Sequence, residues 1–326
     1  MYNLKNKSIL ITGGTGSFGK AFIKRLIEKK SGIKKIAIYS RDELKQHQLQ
    51  FMFPPQKYPS LRFFLGDVRD KERLQFALKE INVVVHAAAL KHVSFSEYNP
   101  FEFIKTNIIG SQNIVDASLS SNVEKVVLLS TDKAVAPANL YGATKLCAEK
   151  IFINSNNIKG KKKIDFSVIR YGNVFGSRGS VLHEFIKQKL NGKFMINDIR
   201  MTRFHITLDQ SVSFVINAIV NSQGGEIFIP KLPSFYIKDL AKALCERTKI
   251  HEIGIVPGEK IHEDLISDNE FFNIKEKKNH YIMTSNFGVA HHSKREKSNN
   301  ISYSSDKNKI FLSIKQLKEI IAKHKD

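Results

Sequence analysis

The chain has 326 residues, room for one large domain or two, and at 42% hydrophobic, 10% aromatic and 25% charged, with 18 Gly and 8 Pro, it is composed like a globular protein and unlike a disordered, collagen-like or coiled-coil one. Even its longest apolar stretches, Val83–Leu90 and Val212–Val220, contain polar residues and fall well short of the roughly 18 apolar residues of a membrane span. A net charge of +21, from 52 Lys and Arg against 31 Asp and Glu, implies attraction to phosphates without choosing among nucleotide, nucleic acid and membrane surface, and a general basic bias would look the same.

Strand-like and helix-like segments alternate from the start, which is the pattern of a parallel sheet covered on both faces. A lysine-bearing stub too short for a signal peptide precedes Ser8, so a cytoplasmic location is expected. Ser8–Thr12 reads as a buried strand, Gly13 to Gly19 as a turn, and a helix then runs to about Lys30. Further strands are expected at Ile36–Tyr39, Leu61–Leu65, Val83–Ala87, Val126–Ser130 and Phe166–Arg170, the last after a helix beginning near Tyr141. Continuous Val, Ile and Leu runs suit strands buried on both sides. Beyond about Asn173 the rhythm becomes irregular, with helices near Val181–Leu190, Asp209–Val220 and Ile237–Cys245, as for a smaller cap over the sheet. The polar stretch 268–309 reads as loops or a mobile tail before a last helix, Ile314–Ala322. There is no internal repeat. Cys147 and Cys245 sit in apolar helical contexts, which predicts two buried thiols and neither a disulfide framework nor a Cys-rich metal site.

Gly13-Gly14-Thr15-Gly16-Ser17-Phe18-Gly19 follows a strand and opens a helix. Its glycines serve a tight turn, close approach of a pyrophosphate and close helix packing, with backbone N–H groups facing the phosphates. After the second strand, Ser40-Arg41-Asp42-Glu43-Leu44-Lys45 offers Arg41 and Lys45 to a ribose 2′-phosphate, which favours NADP over NAD, although Asp42 is placed to serve as a ribose ligand instead. Asp67-Val68 and Ala87-Ala88-Ala89, at later strand ends, are expected to line adenine and ribose.

The densest chemistry lies in Ser130-Thr131-Asp132-Lys133 and Tyr141-Gly142-Ala143-Thr144-Lys145. Tyr141 and Lys145, four apart at a helix start, share one face. The expectation is that the lysine cation depresses the phenol pKa so that a phenolate can take a proton from an alcohol as hydride leaves carbon. Asp132 and Lys133 add an acid/base pair that a simple alcohol dehydrogenase or epimerase does not need, but that removing a proton beside a carbonyl and expelling water does.

The segments ITGGTGSFGK, YSRDELKQ, GDVRD, HAAALKHV, STDKA with YGATK, RYGNVFGSRGSV, DIRMTRF, GGEIFIPK and PGEKIHE together resemble the inverting UDP-N-acetylglucosamine 4,6-dehydratases of pseudaminic acid synthesis for flagellin glycosylation. The resemblance runs from about residue 8 to 266. In the related dTDP-glucose 4,6-dehydratases the strand-end Thr is followed by Asp-Glu, whereas here it is followed by Asp132-Lys133, which points to the inverting, amino-sugar branch.

The resemblance implies an extended short-chain dehydrogenase fold. A doubly wound Rossmann NADP-binding domain is expected over 1–172 and a mainly substrate-binding one over 173–326, with some later segments returning to the core. It also implies a homo-oligomer that acts on UDP-N-acetylglucosamine and binds neither nucleic acid nor membrane. On this reading Tyr141 removes the C4 hydroxyl proton, Thr131 hydrogen-bonds the C4 oxygen and Lys145 holds the nicotinamide ribose. Lys133, partly neutral, is the base at C5, and Asp132 is the acid on the departing C6 hydroxyl. Asn173, Arg178 and Val181 are expected near the sugar and diphosphate. Arg200, Arg203 and Glu259 would meet the diphosphate or uridine ribose, and Lys91 the nucleotide or sugar. Rival readings are another nucleotide-sugar dehydratase or epimerase of capsule or O-antigen synthesis, and a non-catalytic dinucleotide sensor whose basic surface binds nucleic acid. A metal site is not expected, since His262-Glu263 and His291-His292 lack partners at ligand spacing and the histidines read as surface residues.

Overall fold

The computed structural model describes residues 3–29, 32–176, 180–189, 193–247, 249–270, 273–284 and 301–323. Its strands are β1 (Ser8–Thr12), β2 (Lys35–Ser40), β3 (Leu61–Leu65), β4 (Val83–His86), β5 (Lys125–Thr131), β6 (Asp165–Tyr171), β7 (Lys193–Ile196), β8 (Thr202–Phe204), β9 (Glu226–Pro230), β10 (Ser234–Tyr236), β11 (Lys249–Glu252), β12 (Asp264–Ile266), β13 (Asn273–Glu276), β14 (His280–Thr284) and β15 (Tyr303–Ser304). Nine of them form one sheet in the order β13-β14-β9-β6-β5-β4-β1-β2-β3. The seven from β3 to β9 run parallel, with Ile9 opposite both Ile36 and Val83. Helices cover both faces, so every residue of β1 and β4 is buried, which is what their unbroken apolar runs require. Chain order reverses between β1 and β4, and in doubly wound sheets that reversal opens a crevice at the carboxyl ends of the strands.

The sequence reading of 268–309 as loops or mobile tail is corrected at its first part. β13 and β14 form an antiparallel hairpin that extends the large sheet, with β14 paired to β9 from His280↔Pro230 to Thr284↔Glu226. The hairpin was hidden because it covers an edge and fills little core. In β14 only Met283 is fully buried, and β13 is mostly exposed, so its composition is that of a loop. The expectation of buried thiols also fails. Cys147 is exposed, because the helix Leu140–Ile158 turns Tyr141, Thr144, Lys145, Ala148 and Phe152 inward, and Cys245 is half-buried.

A second hydrophobic cluster lies beside the sheet's own core and draws on Phe175, Leu182, Phe194, Met201, Leu240 and Leu317. Between the two, Arg170 on β6 is wholly buried. Its guanidinium bonds Glu149 at 2.6 and 3.1 Å, Glu270 at 2.8 and 3.0 Å and the Leu265 carbonyl at 2.9 Å. This cluster ties the 265–270 segment to the sheet, and removing one partner from such a buried group costs roughly 3–5 kcal/mol.

Candidate active site

The turn after β1 is built to approach another backbone. Gly13 has φ +65°, and a Cβ there would lie 2.9 Å from Ala88 Cα and N, while one at Gly19 would strike the backbone of Gly14. Thr12 Oγ1 accepts from the N–H groups of Ala87 and Ala88, both at 3.1 Å, which clamps the β1 and β4 ends together. The helix Ser17–Glu28 begins at Gly16 with no side-chain cap, so its first N–H groups face outward toward the crevice.

A cleft of about 590 Å³ opens here, lined by Gly13, Thr15, Gly16, Ser17, Phe18, Gly19, Ser40, Arg41, Asp42, Lys45, Asp67, Val68, Ala87, Ala88, Lys91, Tyr141 and Lys145 among others. A cradle of Cβ-free backbone above an uncapped helix N-terminus fits a dinucleotide pyrophosphate. At its far end Ser40 and Thr15 hydroxyls meet at 3.0 Å. Asp42 caps the helix Glu43–Met52 by accepting from Lys45 N at 2.9 Å, and its other oxygen pairs with the Lys45 ammonium. Those two residues are therefore committed to each other, whereas half-exposed Arg41 reaches Asp67 only at 3.6 Å.

A second cavity, of about 380 Å³, shares Lys91, Thr131, Tyr141 and Asn173 with the cleft and adds Lys133, Val181, Arg203, Glu259 and Glu263. Its chemistry hangs from the end of β5 and the helix start at Leu140. Asn139 caps that helix on Gly142 N at 2.8 Å, and Gly142 packs so closely on the Lys133 carbonyl that no side chain fits between. Asp132 is wholly buried; its Oδ1 accepts from Thr131 Oγ1 at 2.8 Å and Lys133 Nζ at 3.2 Å. Lys133 Nζ also donates to Asn173 Oδ1 at 3.2 Å and Glu263 Oε1 at 3.0 Å.

The electrostatics correct two expectations. Burial opposes the charge on Lys133, but the carboxylates of Asp132 and Glu263 outweigh it and hold the lysine pKa above its ordinary value, so Lys133 is an ammonium and not the partly neutral amine expected. Burial also pushes the Tyr141 phenol up to about 12, against the opposing pull of the Lys133 charge. Lys145, expected to depress it, donates to the Leu129 carbonyl at 2.8 Å and is itself lowered to about 8 by burial.

Lys91 is lowered by burial and by Lys133. The fork of Arg203 is held by the carbonyls of Thr202, Lys260 and Ile261 at 2.8–3.1 Å. Glu259 accepts from the Asn197 amide. Arg200 does not join them; it is two-thirds exposed, pairs with Asp198 and lines neither cavity. Arg178, like His291 and His292, lies outside the described residues.

Glu263 is the residue that the sequence reading missed, having set His262-Glu263 aside as no metal site and His262 as a surface histidine. It is 2% exposed, and His262 bonds the Thr202 hydroxyl at 2.8 Å. The available signal was the period-two alternation Ile261, Glu263, Leu265, which puts Glu263 on the face that buries Leu265. Among the described residues no group of three or more His, Cys, Asp or Glu is arranged to hold a metal, and no helix is long and apolar enough to cross a membrane.

Comparison with known proteins places this geometry. A family model described as polysaccharide biosynthesis protein matches residues 9–285. The chain is 49% identical to a UDP-N-acetylglucosamine 4,6-dehydratase (inverting) of Campylobacter jejuni, covering 98% of each chain. It is 42% identical to a UDP-glucose 4-epimerase of Rickettsia bellii over 85% of this chain and 82% of that one. Among solved structures, Pen from Bacillus thuringiensis superposes with a TM-score of 0.88 at 38% identity, over 99% of this chain and 100% of the other.

Proposed function

The chain belongs to the family of polysaccharide biosynthesis proteins, and we propose that within it this protein is an inverting UDP-N-acetylglucosamine 4,6-dehydratase that uses NADP. The observation that carries this reading is the convergence of Thr131, Asp132, Lys133 and Tyr141 where the dinucleotide cleft and the second cavity meet. An acid/base pair there, beyond the tyrosine, suits loss of water as well as oxidation.

The dinucleotide, held by the Gly13–Gly19 turn and the strand ends, supplies a hydride acceptor for sugar C4 and a hydride donor for C6. Arg41 supports NADP, because it is the cation at the β2 end that is not committed to Asp42, and a guanidinium suits a 2′-phosphate. Tyr141 Oη, once ionised against the burial that raises its pKa, takes the C4 hydroxyl proton while Thr131 and Lys145 orient the reacting groups. Asp132, whose pKa burial raises above the ordinary carboxylate value, is the acid for the departing C6 hydroxyl. Lys133 handles the C5 proton. Reprotonation of C5 by a solvent proton from the opposite face inverts that centre, giving UDP-2-acetamido-2,6-dideoxy-L-arabino-hexos-4-ulose. Lys91, Asn173, Val181, Arg203 and Glu259 line the cavity for the sugar and diphosphate. A dinucleotide-binding part over 1–172 and a mainly substrate-binding part over 173–326, with some later segments returning to the core, is supported by the two hydrophobic clusters: the second draws on residues beyond 172, and the first takes in Val212, Ile227 and Met283. The motif resemblance supports a place at the head of pseudaminic acid synthesis for flagellin glycosylation, in a cytoplasmic homo-oligomer.

The likeness to the Rickettsia epimerase favours a second reading, C4 epimerisation, against which the buried Asp132–Lys133 pair argues. Incubation with UDP-N-acetylglucosamine and proton NMR of the product decides. A C6 methyl signal with inverted C5 couplings is expected, whereas a C4 epimer that keeps its C6 hydroxyl would overturn the dehydratase reading.

A further inference from the structure

Lys133 sits between two carboxylates that reach it from different parts of the chain. Asp132 is its neighbour; Glu263 comes from 130 residues further on, carried over the cavity at the entry to β12. Each carboxylate gives one oxygen to the ammonium, and each has a second, buried oxygen, Asp132 Oδ2 and Glu263 Oε2, with no hydrogen-bond partner among the described residues. An ammonium has three N–H bonds, and Nζ meets three acceptors: Asp132 Oδ1, Asn173 Oδ1 and Glu263 Oε1. A lysine so enclosed has no lone pair with which to take a proton from carbon. For it to work at C5, one of its own protons must first go elsewhere.

We propose that Glu263 is the acceptor of that proton, a positioning residue that acts on C5 through Lys133. The inference deepens the dehydratase reading and rests on it. One Nζ–H bond breaks and the proton passes along the 3.0 Å contact to Glu263 Oε1, leaving Lys133 an amine. The C5–H bond then breaks, its proton forms a new N–H bond at Nζ, and the electron pair left on C5 moves toward the C4 carbonyl oxygen. Nothing is oxidised or reduced in this step; Lys133 is an ammonium again, a solvent proton reaches C5 from the opposite face, and Glu263 releases its proton to solvent and returns to its ionised state. The two carboxylates are sorted for these separate duties. Burial leaves Asp132 above its ordinary pKa, whereas at Glu263 the charges of Lys133 and Arg203 outweigh burial and keep it ionised. Arg203 Nε stands 3.6 Å from Oε1, and the Glu263 backbone N–H is anchored on Ser305 Oγ at 2.9 Å, so both the side chain and the backbone of Glu263 have a fixed partner.

The test isolates C5 chemistry from oxidation. UDP-N-acetylglucosamine deuterated at C5 is turned over by wild type, Glu263→Gln and Glu263→Asp in ordinary water; exchange of the C5 deuterium for a solvent proton is followed by NMR, and dinucleotide reduction is followed by absorbance so that C4 oxidation is read separately. The Gln variant is expected to exchange about 100-fold more slowly, the size typical of one proton-transfer group. Its KM should be little changed, and the Asp variant should recover part of the loss. Exchange by Glu263→Gln at the wild-type rate would overturn the proposal, as would a loss matched by equally weakened nucleotide-sugar binding. If Glu263→Gln melts early, Glu263→Asp decides, since a purely structural role predicts unchanged exchange once it folds. A wild-type protein that yields no 4-keto sugar would overturn the dehydratase reading itself; one that does, while Glu263→Gln matches it, would overturn only the role of Glu263.

Discussion

The dinucleotide cleft and the sugar cavity meet at Tyr141 and Thr131 but are made of different material. The cleft is chiefly backbone: the Gly13–Gly19 turn, the clamped ends of β1 and β4 and an uncapped helix N-terminus, all from continuous segments early in the chain. The cavity is chiefly charge. Lys91, Lys133, Arg203 and the segment carrying Glu259 and Glu263 come from four parts of the chain; Lys133 lowers Lys91, Asp132 and Glu263 raise Lys133, and Lys133 and Arg203 lower Glu263. The difference teaches that the cleft should fail when bulk is added, and the cavity when a charge is removed at unchanged volume.

The sharpest break of the cavity is Lys133→Met, which keeps the aliphatic stem and removes the ammonium. Turnover is expected to fall about 1,000-fold, within the range for an acid/base group. The melting temperature should fall, because buried Asp132 and Glu263 lose their cation, while dinucleotide binding should be nearly unchanged, as checked by product NMR, thermal melts and titration. Gly13→Ala attacks the other region. Its methyl would meet Ala88 from a left-handed backbone, so a cost of about 1–3 kcal/mol is expected, read as a lower melting temperature and weaker dinucleotide binding. Arg41→Ala sharpens the cleft's chemistry with a smaller effect. The preference for NADP over NAD should fall by about 10-fold, consistent with one charge-assisted hydrogen bond, as measured by titration with each.

The smallest effect expected is on stability against pH. Lys145 is lowered to about 8 when folded, against 10.5 for a free lysine, so between those values the folded chain binds fewer protons than the unfolded one. This group's contribution to stability therefore rises as pH climbs through that window. Thermal melts of wild type and Lys145→Met should diverge in slope there and run parallel below it.

The same contrast explains what could be read from the sequence. The turn after β1, the strands to β6 and the helix carrying Tyr141 were legible because each is written in adjacent residues, as apolar runs, glycine spacing and a helical interval of four. The β13–β14 hairpin was not, since an edge hairpin that buries only Met283 completely carries a polar composition. The charge state of Lys133 was legible only in part: adjacent Asp132 gives the larger upward pull, but Glu263, which adds to it, lies far along the chain and is brought near by β12 and the Arg170 cluster. Lys45 offered itself as a phosphate ligand in sequence, yet its three-residue distance from Asp42 is also that of a capped helix turn, and the cap prevailed.

The central claim is that one site oxidises, dehydrates and reduces a single sugar without releasing it. UDP-N-acetylglucosamine deuterated at C4, turned over in ordinary water, tests this most directly. The account predicts product in which the C4 deuterium has moved to the C6 methyl and C5 carries a solvent proton in inverted configuration. Deuterium retained at C4, or lost to solvent with no label at C6, would contradict it.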